Sequence, residues 1–331
     1  MGTPTSDAQR QETLDAWNKF KNQFKAAEYL NIPRTTFQAR LTEANRWANT
    51  EKIEPERITP RDPKEPFHYA VRIRHQVDTH EPIRVLGIGD AHDSPSLPDK
   101  SRFYWMGRQA AELQVTHVIQ IGDFLTFDSL CRYEGNDTLR GKHKPSFRDD
   151  ILSGKDALSA FRDGLGGYKP ELHLLLGNHE DRAFSFTNRT PEMEGILAGE
   201  IDNLFASFDW NVYPYGQINF FSGVGFVHVP LNRLGKPYGG KTAKNQIAND
   251  CLHDLVFGHD HMGGEITAQK VGTNQSVTVL NLGCALPMGH VEAYVGHGQS
   301  GWRYGCYSLE IEGRIRSAKF YSMNELEASF G

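Results

Sequence analysis

Five short clusters in this chain bring metal-binding side chains together at close spacing. They are Gly89-Asp90-Ala91-His92, Gly122-Asp123, Gly177-Asn178-His179-Glu180, the isolated His228, and Gly258-His259-Asp260-His261. Carboxylate, amide oxygen and imidazole form a mixed nitrogen–oxygen donor set. That set suits borderline divalent ions such as Mn, Fe, Zn, Co or Ni. The Asp-x-His and His-x-His spacings place both side chains on one face of an extended segment. A single carboxylate can bridge two ions roughly 3.5–4 Å apart, the geometry of two-metal hydrolytic centres. The glycine that opens each cluster other than the isolated His228 is read as letting the backbone turn sharply beside an ion.

Clusters this far apart in sequence converge only if regular elements deliver them to one place. The apolar runs at 83–88, 118–121, 172–176, 225–229 and 255–257 read as buried strands, the fourth carrying His228. Helix-like patterns at 102–113 and 155–161 lie between the first strands. Strands alternating with helices predict α/β layering. In such sheets ligands sit beyond the carboxyl ends of the strands. The segments 305–311 and 315–321, around Glu312-Gly313, predict a closing hairpin.

The ordered set of Gly-Asp-Ala-His, Gly-Asp, Gly-Asn-His-Glu, a lone His and Gly-His-Asp-His resembles the calcineurin-like metallophosphoesterase superfamily, over roughly residues 83–262. The resemblance implies an α/β fold, a four-layer α-β-β-α sandwich of two mixed sheets. It implies a first metal held by Asp90, His92 and His261, a second held by Asn178, His228 and His259, and Asp123 bridging the two. It also implies a hydroxide between the ions as the nucleophile, with in-line attack on phosphorus. His179 would approach the phosphoryl group and protonate the leaving oxygen. Two divalent ions are implied, manganese first among them, with Fe, Zn, Ni or Co as alternatives. His228 competes with the reading of a satisfied strand histidine. Arg182 reads equally as a phosphate clamp or a surface salt bridge. Glu180, Asp181 and Asp260 read as supporting groups, and His117 and His173 have no assigned role.

The N-terminal part is different. Leu14, Trp17 and Phe20 fall at helical spacing, and two apolar stripes follow: Phe24, Ala27, Leu30, then Phe37, Leu41, Ala44. Asn31-Ile32-Pro33 stops one helix and opens the next. Residues 1–50 therefore resemble a small all-α helix-turn-helix of DNA-binding regulators. Arg34, Thr35, Thr36, Gln38 and Arg40 would be the DNA-facing residues. Between Lys19 and Arg46 six basic residues stand against two acidic ones, the local excess that phosphate contacts need. The competing reading is a helical hairpin that binds a protein or the catalytic part. Residues 51–66, with four prolines and dense charge, read as a stiff linker, leaving 67–331 as the catalytic domain.

Composition bounds the rest. The net charge of -5 excludes a chain that coats nucleic acid along its whole surface. No apolar run approaches the roughly 20 residues of a membrane span. The four cysteines are scattered and form no Cys-x-x-Cys pair, so a cytoplasmic setting is expected. Asp93 stands where phosphoprotein phosphatases of the superfamily carry Gly, and Asp123 is followed by Phe124-Leu125-Thr126 without a later Asp-Arg-Gly. That departure speaks against a dedicated protein phosphatase, and the helix-turn-helix pattern tethered by a proline-rich spacer points to a phosphodiesterase or nuclease acting on nucleic acid. The alternative is a phosphomonoesterase on proteins or small molecules, with the N-terminal hairpin as partner-binding module. The oligomeric state is open.

Overall fold

A computed structural model describes residues 6–51, 81–132, 139–240, 242–292 and 301–331. The expected linker at 51–66 lies outside the described residues, apart from Glu51. The chain separates into two compact units, residues 1–69 and 70–331.

The first unit holds three helices: Asp7–Phe20, Gln23–Tyr29 and Arg34–Glu51. Ser6 caps the first in a reciprocal capping box with Gln9, and the Asn22 side chain caps the second. Asn31 adopts a left-handed φ of 51° between the second and third, as its place after a helix end suggests. The core is Ala16, Ala26, Ala27, Phe37 and Leu41, flanked by Leu14, Trp17, Phe20, Leu30 and Ile32. One expected stripe member is misplaced: Phe24 is 63% exposed, and Arg34 stacks over its ring at 4.2 Å. Ala26 and Ala27 are buried instead because small residues let these short helices approach closely.

In the second unit, two mixed sheets face each other. The larger is built from β1 (Ile83–Ile88), β2 (His117–Gln120), β3 (Glu171–Leu175), β4 (Trp210–Tyr213), β10 (Gly305–Ile311) and β11 (Ile315–Ser322), in the order β11-β10-β1-β2-β3-β4. The smaller is built from β5 (Asn219–Phe221), β6 (Val224–Phe226), β7 (Leu255–Phe257), β8 (Gly264–Gln269) and β9 (Ser276–Asn281), in the order β5-β6-β7-β9-β8. The run β1-β2-β3-β4 is parallel, as is β6-β7-β9. β10 and β11 form the expected hairpin.

Alternation along each strand sends one face to the space between the sheets. Val85, Ile119, Ile121, Leu175, Leu309 and Ile311 of the large sheet meet Phe221, Phe226, Val256 and Leu280 of the small one. On the outer face of the small sheet, Ile247 and Ala248 of the helix Ala243–Asp250 pack against Leu255, Phe257, Val277 and Val279. Helices Ser101–Glu112 and Phe147–Leu165 serve the large sheet, the latter packing Phe161 tilted against Trp210 of β4, ring centroids 5.6 Å apart. The result is helix, sheet, sheet, helix. Both helices run beyond the limits read from the sequence pattern at their amino ends, the second by eight residues, because Ser146 and Asp149 form a capping box ahead of it. Among the described residues no helix is long and apolar enough to cross a membrane.

Candidate metal centre

Each of the five clusters follows the carboxyl end of a parallel strand: β1, β2 and β3 in one sheet, β6 and β7 in the other. His228 was expected inside a strand. It lies two residues past the end of β6, where a short strand releases it toward the crevice between the sheets.

Three groups of donors come within 4.8 Å of one another: Asp90 with His92 and His261; Asp123 with His228 and His259; and His92 with Asp123 and His179. Asp123 belongs to two of them. The Nε2 atoms of His92 and His261 are 3.1 Å apart, and His261 Nε2 is 3.1 Å from Asp90 Oδ2. Ligands held at roughly 2.0–2.1 Å from one ion lie about 3.0–3.4 Å from each other. His228 Nε2 stands 3.2 Å from Asp123 Oδ2 and 3.0 Å from Asn178 Oδ1. Its Nδ1 is 3.1 Å from the Ile121 carbonyl and can only donate there. A neutral His228 therefore turns a lone pair toward two oxygen acceptors. Such convergence is satisfied by a proton or a metal ion.

Electrostatics point the same way. Burial alone would lower His228, but the Asp123 and Asp90 carboxylates outweigh it and push it up to about 9. Asp123 is 2% exposed. Burial opposes its charge, yet His228 and His179 hold it well below the usual carboxylate range. His92 is held low by burial and by its neighbour His179. Burial also lowers His259, the one exposed member of the groups, with His228 adding to it. The donor set, its spacing and its concentrated negative charge fit a pair of divalent ions.

The backbone around these residues is strained. His92, Asp123, His259 and His261 all adopt left-handed φ values of 43°, 51°, 77° and 60°. Each such residue costs about 1–3 kcal/mol, and clusters of them mark functional sites. Of the preceding glycines, Gly122 has the expected positive φ, 113°. Gly177 and Gly258 are required for another reason: a β-carbon would collide with the Asp123 carboxylate and amide at one, and with Asp90 Oδ1 at the other.

His179 donates its amide to Asp123 Oδ1 at 2.8 Å, and its Nδ1 sits 2.8 Å from the Thr126 carbonyl. Nε2 is then the outward-facing atom, 3.9 Å from Asp123 Oδ2. Burial lowers its pKa against the pull of Asp123, with Arg182 adding to the lowering. Arg182 is anchored on the Thr126 carbonyl at 2.7 Å and reaches His179 Nε2 at 3.2 Å. Its distance to Asp128, 3.9 Å, is the long limb of this arrangement.

Glu180 was seen in the sequence only as a supporting group. Its buried carboxylate accepts the amides of Asp123 (3.0 Å), Leu125 (2.9 Å) and Gly177 (2.8 Å) and so clamps two metal-side loops together. Asp260 caps the Met262 amide and pairs with Asn281 at 2.6 Å. Asp93 is bound by Lys100, Arg102 and Ser153. Trp302 packs edge-on to His261, ring centroids 4.2 Å apart. No motif marks Trp302 in the sequence.

No family model matches this sequence, and no curated protein matches it. The fold search finds a conserved uncharacterized protein from Streptococcus pneumoniae, a predicted phosphoesterase, at 12% identity and a TM-score of 0.32, over 74% of this chain and 91% of that one. It also finds the phosphoesterase Yfce from E. coli, at 13% identity and 0.33, over 72% and 98%. A dimetal phosphatase from Danio rerio is found at 11% identity and 0.36, over 73% and 97%. These proteins are distant from this chain.

In the N-terminal unit, Arg34, Thr35, Thr36 and Gln38 are exposed and Arg40 is half-buried. Phe37 and Leu41 from the same helix are buried in that unit's core. The residues expected to face DNA thus lie apart from the packed side of their helix.

Proposed function

We propose that this chain is a dimetal phosphoester hydrolase that cleaves phosphodiester bonds in nucleic acid. The observation that carries the reading is the convergence of Asp123 Oδ2, Asn178 Oδ1 and His228 Nε2, with the His228 Nδ1 proton already committed to Ile121. Asp90, His92 and His261 would hold one ion, Asn178, His228 and His259 the other, and Asp123 both. Divalent ions there supply Lewis acidity toward phosphoryl oxygens and lower the pKa of water, so that hydroxide is available at neutral pH.

The chain's own groups do the rest. Glu180 holds the Asp123 and Gly177 loops in register before substrate arrives, so little reorganisation accompanies reaction. Arg182 offers guanidinium N–H groups to a phosphoryl oxygen. His179 keeps one proton on Thr126 and faces the phosphoryl group with Nε2. An anionic substrate that draws the Arg182 N–H off Nε2 also offsets the lowering by burial and Arg182, so the imidazolium forms when it is needed and passes its proton to the leaving oxygen. The exposed Arg34, Thr35, Thr36 and Gln38 with Arg40, on a helical unit whose stretch from Lys19 to Arg46 carries six basic residues against two acidic, support nucleic acid as the substrate class. A tethered binding unit raises the local substrate concentration at the catalytic unit.

The test is hydrolysis of bis-p-nitrophenyl phosphate against p-nitrophenyl phosphate, with Mn, Fe, Zn, Co and Ni supplied in turn. Diester preference, followed by degradation of DNA or RNA, is the expected result. Preference for the monoester, with nucleic acid inert, overturns the substrate class and makes the N-terminal unit a partner-binding module.

A further inference from the structure

A second group of donor side chains lies at the opposite end of the large sheet. His117 begins β2, and Glu171 begins β3. The two are register partners across the parallel pair. His173 follows Glu171 by two residues and shares its face. Along β2, His117 is six residues from Asp123, about 20 Å of extended chain. This group is therefore separate from the metal centre beyond the carboxyl ends.

The geometry is compact. The His117 and His173 rings stack at 5.4 Å with 14° between their planes. His117 Nε2 is 3.8 Å and His173 Nε2 is 3.5 Å from the same atom, Glu171 Oε2. All three donor atoms lie within 4.8 Å of one another. These separations exceed the usual reach of a nitrogen–oxygen hydrogen bond. They lie close to the roughly 3.3–3.4 Å between ligands of one tetrahedral ion.

The orientation of His117 follows from its neighbour. The Thr116 hydroxyl has one proton, and it goes to the Arg84 carbonyl at 3.0 Å. The same oxygen accepts the Arg84 amide at 3.0 Å. With that proton on Arg84, Thr116 accepts from His117 Nδ1, 2.9 Å away, and the tautomer so paired carries its proton on Nδ1. In this tautomer the Nε2 lone pair of His117 faces the Glu171 carboxylate, 3.8 Å away. Such a facing pair is satisfied by a proton or by a metal ion between the two atoms, and the third donor, His173 Nε2 at 3.5 Å from the same oxygen, favours the ion. His173 is steadied in the same manner, with Nδ1 3.1 Å from the Tyr213 hydroxyl on β4. A hydrogen-bond acceptor on the second ring nitrogen fixes the tautomer and orientation of a metal-binding imidazole.

We propose that His117, Glu171 and His173 form a divalent-cation site of their own, suited to zinc, that ties β2 to β3 at the amino-end rim of the inter-sheet core. Two imidazoles and one carboxylate make a borderline donor set that zinc favours. Glu171 is 68% exposed, so water can complete the coordination from the solvent side. The site is structural in character: it joins neighbouring strands through their first residues, His117 and Glu171, which are register partners.

The test uses the full chain, stripped with chelator and titrated with zinc, the bound ions counted by native mass spectrometry. Glu171→Gln and His117→Gln are each expected to bind one zinc fewer than wild type, and to lose the part of the zinc-induced Tm rise that belongs to this site. Glu171→Gln changes an exposed side chain, so its metal-free Tm should match wild type and show that folding is intact. Asp123→Asn, which disturbs the other centre, should retain this ion. Equal zinc counts in wild type and both rim variants overturn the proposal. Failure of the carboxyl-end centre reads out separately, as an Asp123→Asn count equal to wild type.

Discussion

Replacing Glu180 with alanine isolates the support of the metal centre from the metal itself. The Glu180 carboxylate satisfies three amides, at Asp123, Leu125 and Gly177, at 2.8–3.0 Å and with 0% exposure. A buried N–H left without a partner costs about 1–3 kcal/mol. Three of them give about 3–9 kcal/mol, and water entering the truncated space brings the expected loss to the lower part, about 3–5 kcal/mol. Glu180→Gln keeps one oxygen. Set at the Oε2 position it still accepts Asp123 and Gly177, while the amide nitrogen confronts the Leu125 N–H. One lost bond predicts about 1–3 kcal/mol. Urea unfolding in excess chelator, followed by tryptophan fluorescence, measures both without metal linkage. At about 2–4 °C per kcal/mol for a unit of this size, the alanine variant should melt roughly 10 °C below wild type. Misplacement of Asp123 should also lower kcat about 10–100-fold in Glu180→Gln. An alanine variant within about 1 kcal/mol of wild type, at unchanged m-value, refutes the clamp.

Further outcomes follow from other parts of the molecule. Burial pushes the Asp150 carboxyl up to about 6, above its unfolded value of about 3.9. The folded state thus holds a proton that the unfolded chain has lost, and this group's contribution to stability falls as pH rises from about 4 to 6. Asp150→Asn should therefore stabilise the protein at pH 7 by about 1–3 kcal/mol and much less near pH 4, by urea unfolding at each pH. Arg182→Ala should reduce kcat/KM for diesters by about 10²-fold, as for the loss of one transition-state donor, with folding intact by circular dichroism. Combined substitution of Arg34, Gln38 and Arg40 by alanine should weaken DNA binding and flatten its salt dependence by about two phosphate contacts. Hydrolysis of a small diester should be unchanged, and an unaltered salt slope would remove these residues from the interface.

Much of the site was legible because its chemistry is written in short, local words. Asp90-Ala91-His92 and His259-Asp260-His261 announce donors at strand ends, and the apolar runs ahead of them are the parallel strands that aim them. His228 was harder: it stands alone, and the three-residue β6 ends before it. A strand this short leaves no alternation to distinguish its interior from its exit. The role of Glu180 needs three amides from two loops, a relation no spacing encodes. The left-handed backbone at His92, Asp123, His259 and His261 is a conformation few non-glycine residues adopt, and although Asp and His adopt it more readily than most, nothing in the spacing marks these four. The His117, Glu171 and His173 group depends on the β2–β3 register, which sequence patterning sets only to within the pleat. In the N-terminal unit the helices were visible, but Phe24 at core spacing turned outward because the short second helix packs through its alanines.

The most direct measurement compares metal-stripped and metal-reconstituted wild type with Asp123→Asn, recording bis-p-nitrophenyl phosphate hydrolysis and bound metal in the same samples. The account predicts hydrolysis in reconstituted wild type alone, with fewer ions bound by the variant. Hydrolysis that persists in the chelated protein or in Asp123→Asn, or wild type that binds metal and turns over no phosphoester, would contradict it.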